Sequence, residues 1–200
     1  MSTGLKANAD GSAAIQVGGS DAITITSGLN TTFAGTVTSP TGTLYPLVSG
    51  TAVTASGTSV DFTGIPSTAK RITVMCKGLS TNGGSIPQIQ IGTSGGIQTS
   101  GYIGATWIGN TTNSAYASGY LLSGNFSSNY VLELVCVLTL IDSATGSWMF
   151  SLNGGLSVAG VVALVGAGSK SLSGTLDRVR ITTVNGTDTF DAGTINILWE

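Results

Sequence analysis

Two aspartates three residues apart, Asp188 and Asp191, occupy the C-terminal stretch Asn185–Gly193 of a chain with nine acidic residues in 200 and no histidine. The chemistry open to such a pair is a cation cage or a carboxylate dyad. With Asn185 included, the stretch offers three oxygen-bearing side chains at equal three-residue steps. A calcium loop spaces its ligands at alternate positions and closes with a glutamate, so the match is loose. The local alternative is a turn braced by Asx hydrogen bonds, or an ion pair with Arg178 or Arg180. The reading adopted is fold and not chemistry: the two aspartates brace a turn within a closing hairpin. Glycoside hydrolysis needs two carboxyls facing one another across a cleft. The other acidic candidates, Asp61, Glu133, Asp142, Asp177 and Glu200, sit mostly at strand ends or turns, and no motif joins them.

Without histidine the chain lacks the commonest general base and metal ligand, and a Ser-His-Asp or Cys-His arrangement is excluded. Two cysteines, Cys76 and Cys136, are too few for a structural zinc site. Both lie in apolar alternating segments, which predicts buried thiols; a disulfide between adjacent strands stays open. No phosphate-binding glycine loop joins a strand to a helix. The glycosylation sequons at Asn30, Asn110, Asn125 and Asn185 carry little meaning without a secretory leader, and none is visible at the N-terminus. The basic residues (Lys6, Lys70, Arg71, Lys77, Lys170, Arg178 and Arg180) form no run longer than two, against the stripe that nucleic-acid binding needs. The expectation is therefore no catalytic residue, no metal, no cofactor and no nucleic acid, in a protein that is not an enzyme. No apolar run is long enough to span a bilayer as a helix, so membrane insertion is not expected and synthesis is placed in the cytoplasm.

Binding is the chemistry that the composition favours. Tyr102, Trp107, Tyr116 and Tyr120 are interleaved with Gly, Ser, Thr and Asn. Recognition surfaces use that mixture, aromatics for contact area and small polar residues for hydrogen bonds. The competing reading has the same rings cap a sandwich core.

Whatever they do, strands must position them. Charged residues are 8% of the chain and glycine 30 of 200, where ordinary soluble domains are about 25% charged. Thr, Val, Ile and Gly in abundance describe strands joined by tight turns. A net charge of −2 suits a protein fixed in an assembly. Residues 1–43 hold short strands, with Ile15 and Val17 on one face and Ile23 and Ile25 on another, separated by the turn sequence Gly18–Asp21; a further short strand ends at Pro40 and Gly42. So small a segment lacks a core of its own and reads as a stem or anchoring arm, with burial supplied by an intertwined oligomer. Residues 44–200 read as the main domain. Ile72, Val74 and Cys76 alternate inward, as do Ile89 and Ile91. Leu132, Leu134, Cys136, Leu138 and Leu140 form a wholly apolar face of a strand whose other face is nearly as apolar, which predicts cover on both sides. Leu156–Gly168 is compatible with helix, but its valines and glycines favour strand and turn. Ile195, Ile197 and Trp199 share a face of the last strand. With about eight to ten strands from Leu44 onward, the fold expected is all-β, a β-sandwich or jelly roll.

The N-terminal "NADGSAAIQVGGSDAITITSGLNTTFAGTVTSP" is similar to the stems and virion-attachment regions of bacteriophage tail-fibre-like proteins. The blocks "TASGTSVDFTGIPSTAKRITVMCKGLST" and "GTLDRVRITTVNGTDTFDAGTINILWE" resemble a C-terminal domain of phage structural proteins. The resemblance implies a virion appendage protein forming a homotrimer. It makes 1–43 the arm that attaches to tail or capsid proteins, through Ile15, Val17, Ile23 and Ile25, and 44–200 a knob that adsorbs to a host surface glycan or protein. A second reading is a head fibre or capsid decoration protein that binds the major capsid protein.

Overall fold

Alternation at a period of two, punctuated by glycine, makes strands throughout. The computed structural model describes residues 3–17, 20–25, 31–33, 38–39, 42–43, 46–109, 112–157 and 160–200. The protein is all-β, and every regular element among these residues is a strand. The chain divides into two compact units, Met1–Pro46 and Leu47–Glu200.

In the first unit β1 (Thr3–Ala7), β2 (Ala13–Val17), β3 (Ser20–Ile25) and β4 (Thr31–Phe33) pair in that order as one antiparallel sheet. β5 (Thr38–Ser39) and β6 (Gly42–Thr43) form a separate two-stranded ladder. The register sets Leu5 opposite Ile15 and Ile15 opposite Ile23. Directly paired residues in an antiparallel sheet share a face, so Ile15, Val17, Ile23 and Ile25 lie on one side of one sheet. Reading the strands separately had placed them on two. That side is open: Leu5 is 86% exposed, and Ile15, Val17 and Ile25 are exposed as well. The other side is polar, with Gln16 Nε2 donating to Asp21 Oδ1 at 2.6 Å and Lys6 Nζ 3.9 Å from Asp21 Oδ2. Gly18 and Gly19 of the expected turn, Pro40, and the sequon positions Asn30 and Asn110 lie outside the described residues.

The second unit begins with β7 (Val48–Ser49), β8 (Val53–Thr54), β9 (Ser59–Thr63), β10 (Arg71–Thr81), β11 (Pro87–Thr93), β12 (Gly96–Ile97) and β13 (Ile103–Ile108). It continues with β14 (Thr112–Ala115), β15 (Tyr120–Leu121), β16 (Val131–Asp142), β17 (Ser147–Ser157), β18 (Val161–Ser171), β19 (Arg178–Thr183) and β20 (Phe190–Trp199). Nine of these strands make a large sheet in the order β14-β13-β18-β17-β16-β10-β20-β7, with β8 also on β20. Five make a small one in the order β12-β11-β19-β9, with β15 on β11. Leu156–Gly168 supplies the end of β17 and most of β18, as strand. β19 and β20 do not form a hairpin. They lie in different sheets, so the stretch between them crosses from one layer to the other.

The two layers share one core. Ile72, Val74, Leu134, Cys136, Leu138, Ile195 and Ile197 of the large sheet join Ile89, Ile91, Val179 and Ile181 of the small one in a single buried cluster. Each position follows the period of two, and each fully buried Leu or Ile contributes about 1.5–3 kcal/mol. Cys76 and Cys136 are free and buried; burial pushes the Cys76 thiol up to about 12 and Cys136 well above its ordinary value. The expectation that β16 is covered on both faces is met on one only. Leu132, Leu134, Cys136 and Leu138 are buried, whereas Val135 on the opposite side is 45% exposed.

Phe150 fixes the centre of this packing, its ring stacked 4.3 Å from that of Tyr120. Phe150→Ala is expected to cost roughly 3–5 kcal/mol, the range for deleting a buried aromatic. A urea titration followed by tryptophan fluorescence checks it; a midpoint equal to the wild type's would show that the stack carries no stability.

Candidate functional site

Three of the four aromatic candidates for recognition are core. Tyr102, Tyr116 and Tyr120 are buried, and Trp107 is the one ring of the set left in solvent, at 47% exposure. Tyr120 receives Tyr102 and Tyr116 edge-on, with centroids 4.8 and 5.6 Å away. Two of the three buried hydroxyls find partners inside, while that of Tyr120 has none among the described residues. Tyr102 Oη accepts from Ile91 N at 2.8 Å and donates to the Gln98 carbonyl at 2.8 Å. Tyr116 Oη shares a 2.9 Å hydrogen bond with Thr106 Oγ1, which donates to the Leu121 carbonyl. Burial raises all three phenols, Tyr116 to about 12. They are therefore neutral pegs of the fold, and none presents a face to a ligand.

Sequence reasoning passed over Lys170, a buried lysine on β18. Its Nζ donates to Gln98 Oε1 at 2.9 Å and to the Ser171 carbonyl at 2.6 Å, and lies 5.7 Å from the centroid of Tyr102. Burial pulls the ammonium below its ordinary value. Its inward parity, shared with Leu164 six residues earlier, was the available signal.

The Asn185–Asp191 stretch is a clamp between two crossings. Asn82–Ile86 carries the chain from β10 in the large sheet to β11 in the small one, and Val184–Thr189 returns it from β19 to β20. Asp188 Oδ2 accepts from Ser85 N at 2.9 Å and its Oδ1 from Asn185 Nδ2 at 2.7 Å. Asn185 N donates to Ser85 Oγ, while its Oδ1 accepts from the amides of Thr187 and Asp188. Thr189 N reaches Asn82 Oδ1 at 2.9 Å. Asp191 accepts from Ser80 Oγ on the neighbouring strand. Gly83 makes room for the clamp, since a Cβ there would lie 2.1 Å from Asp188 Oδ2. The two arginines considered as partners bind elsewhere, Arg178 to Asp177 and Arg180 to Asp61.

A polar site does exist, on the outward face of the small sheet. The register aligns Gln90, Arg180 and Asp61 in one row across β11, β19 and β9, and Gln88, Thr182 and Ser59 in the next. Gln88, Gln90, Arg180, Thr182 and Ser59 of these rows line a groove of about 330 Å³ that Ser118 and the Asn185–Gly186 turn help to wall, with Asp61 just outside it. The Ser118–Gly119 backbone lies over the two glutamines, which are buried although they point away from the core. Gln90 Nε2 donates to the Ser118 carbonyl at 2.8 Å, while its Oε1 takes no hydrogen bond among the described residues. Arg180 Nε and one terminal nitrogen donate to the two oxygens of Asp61, each at 2.7 Å. That pair holds the guanidinium above its ordinary value and leaves the groove without net charge. Amides, hydroxyls and a neutralised ion pair thus meet at the groove.

The hydrogen bonds from Asn185 and Ser85 hold the Asp188 carboxyl below its ordinary 3.8. A depressed carboxyl adds stability above its unfolded value and loses it as pH falls through the folded one. Asp188→Asn is therefore expected to melt below the wild type at pH 7, with the gap closing as pH drops beneath about 3.8. Asp10 and Asp142 are lowered too, so the difference between the two proteins is the quantity to follow. An equal gap at pH 3 and pH 7 would mean that the carboxylate charge plays no part.

Comparison of the chain with models of protein families, with curated proteins and with solved structures finds no match.

Proposed function

We propose that the chain is a structural protein of a bacteriophage particle. In this reading it is a short homotrimeric fibre whose N-terminal unit attaches to the virion and whose C-terminal sandwich adsorbs to the host surface. The observation that carries the reading is the N-terminal sheet. Four strands of three to six residues carry an apolar side on which Leu5, Ile15, Val17 and Ile25 are exposed. Isolated sheets of this size do not hold together in water without cover. Other copies and a docking protein on the particle provide that cover, which makes the unit an attachment device. The resemblance of residues 51–81 and 174–200 to phage structural domains supports the same conclusion.

The groove on the small sheet supports adsorption. Paired rows of amide, hydroxyl and ion-pair groups match the dense donor and acceptor pattern of a neutral glycan. Lacking an aromatic platform, one such groove binds weakly, and three on a fibre gain by avidity. The host contact thus moves from the tyrosines to the accessible groups of the groove, Arg180, Ser59 and the Asn185–Gly186 turn, with Gln88, Gln90 and Thr182 buried beneath them.

Purified protein should compete with infecting particles for host cells, and antibody to the sandwich should label particles in electron microscopy at the site of attachment. The double variant Asp61→Ser/Arg180→Ser, which removes both charges together, should lose competition while keeping its fold. Undiminished competition by the folded variant would dismiss the groove, and unlabelled particles would dismiss the virion role.

A further inference from the structure

We propose that the outward face of the large sheet is a contact between copies of this chain, with Trp107 of one copy seated in a depression on the next. The inference rests on the homo-oligomeric reading above and gives it a surface in the sandwich. The register runs one continuous row across six strands, Trp107–Val165–Asn153–Val135–Met75–Asn196, from β13 to β20. Around it the outward positions of β13, β17 and β18 carry Ile, Ala, Trp, Met, Ser, Asn, Gly and Val, and no charge. Ile103, Met149, Val161 and Val165 there are exposed, Val161 at 83%. A soluble monomer seldom leaves so much contiguous apolar surface in water.

Size and shape identify the occupant. Five strands about 4.8 Å apart and some ten residues long at about 3.3 Å each give a face of roughly 800 Å², the area one partner contributes to a stable protein interface. The face is also complementary to itself. At one side of the row Trp107 stands out from β13. At the other side a shallow, open depression spans Met75, Val135, Asn153, Thr194 and Asn196. Lys77 and Glu133, one of each sign, line the depression, so a neutral indole suits it. Ridge and socket lie on opposite sides of one face, three strand spacings apart. A contact between two different patches repeats from copy to copy, and it closes into a ring when the rotation between copies closes.

The test uses the full chain and four substitutions at exposed positions. Wild-type protein in size-exclusion chromatography with light scattering should have the mass of an oligomer. Val135→Lys and Val165→Lys should each reduce it to the 20.0 kDa of one chain, with circular dichroism and melting temperature showing intact sandwiches. Acrylamide should quench wild-type fluorescence no more than that of Trp107→Phe in the oligomer, and more in the dissociated variants. Folded lysine variants of wild-type mass, or a Trp107 freely quenched in the oligomer, would overturn the inference. Dissociation by Ile15→Asp but by neither lysine variant would overturn it too, leaving the N-terminal sheet as the seat of assembly. A wild-type chain of single-chain mass would sink this interface, while particle labelling still decides the virion role.

Discussion

A sheet has two faces, and one chain of this length covers only some of those it makes. In the second unit each layer turns one apolar face inward, and the shared core settles that half of the problem. Among the described residues, the four-stranded N-terminal sheet has no second layer in its own unit. The large sheet keeps an outward face on which, along β13, β17 and β18, Val, Ala, Met and Trp replace the charges that normally ring a soluble domain. With charged residues at 8% of the chain, solubility rests on hydroxyls and amides, and an uncovered apolar face has little electrostatic protection from association. The demand for cover is the constraint from which the oligomeric reading follows.

The same scarcity of charge explains how a segment rich in Gly, Ser and Tyr packs inward. A phenol enters a core at low cost when its hydroxyl has a partner. Thr106, the Ile91 amide and the Gln98 carbonyl supply those partners for Tyr116 and Tyr102. Lys170 enters on the same terms, with neutral acceptors and an aromatic face in place of a carboxylate.

Strands, their inward residues and the all-β class were legible because a period of two states both element and face. Ile72, Val74, Ile89, Ile91 and Cys136 are buried where alternation put them. What alternation cannot state is which strand pairs with which. That is why Ile15 and Ile23 were assigned separate faces, and why β19 and β20 looked like a hairpin when they belong to different layers. The polar groove was invisible for the same reason: Gln90, Arg180 and Asp61 are far apart in sequence, and only the register brings them into a row. The tyrosines misled because a recognition surface and a hydroxyl-lined core draw on the same residues; the distinction lies in whether the hydroxyl's partner is interior backbone or solvent.

The two outward faces of the sandwich differ in kind, and the difference follows from what each lets its residues satisfy. On the small sheet, polar outward residues bind one another across strands, Arg180 to Asp61 and Gln90 to the backbone over it. That surface is ordered before any ligand arrives, so little conformational freedom is lost on binding. On the large sheet, the outward valines have nothing to satisfy and gain only by leaving water. A face of the first kind can stay exposed and selective; one of the second kind gains stability only when covered. Burying the large face between copies would leave the polar groove of each copy on the opposite, outward face. Assembly and recognition thus need not compete for the same residues, since the sandwich separates them by its own thickness, about 10 Å of core.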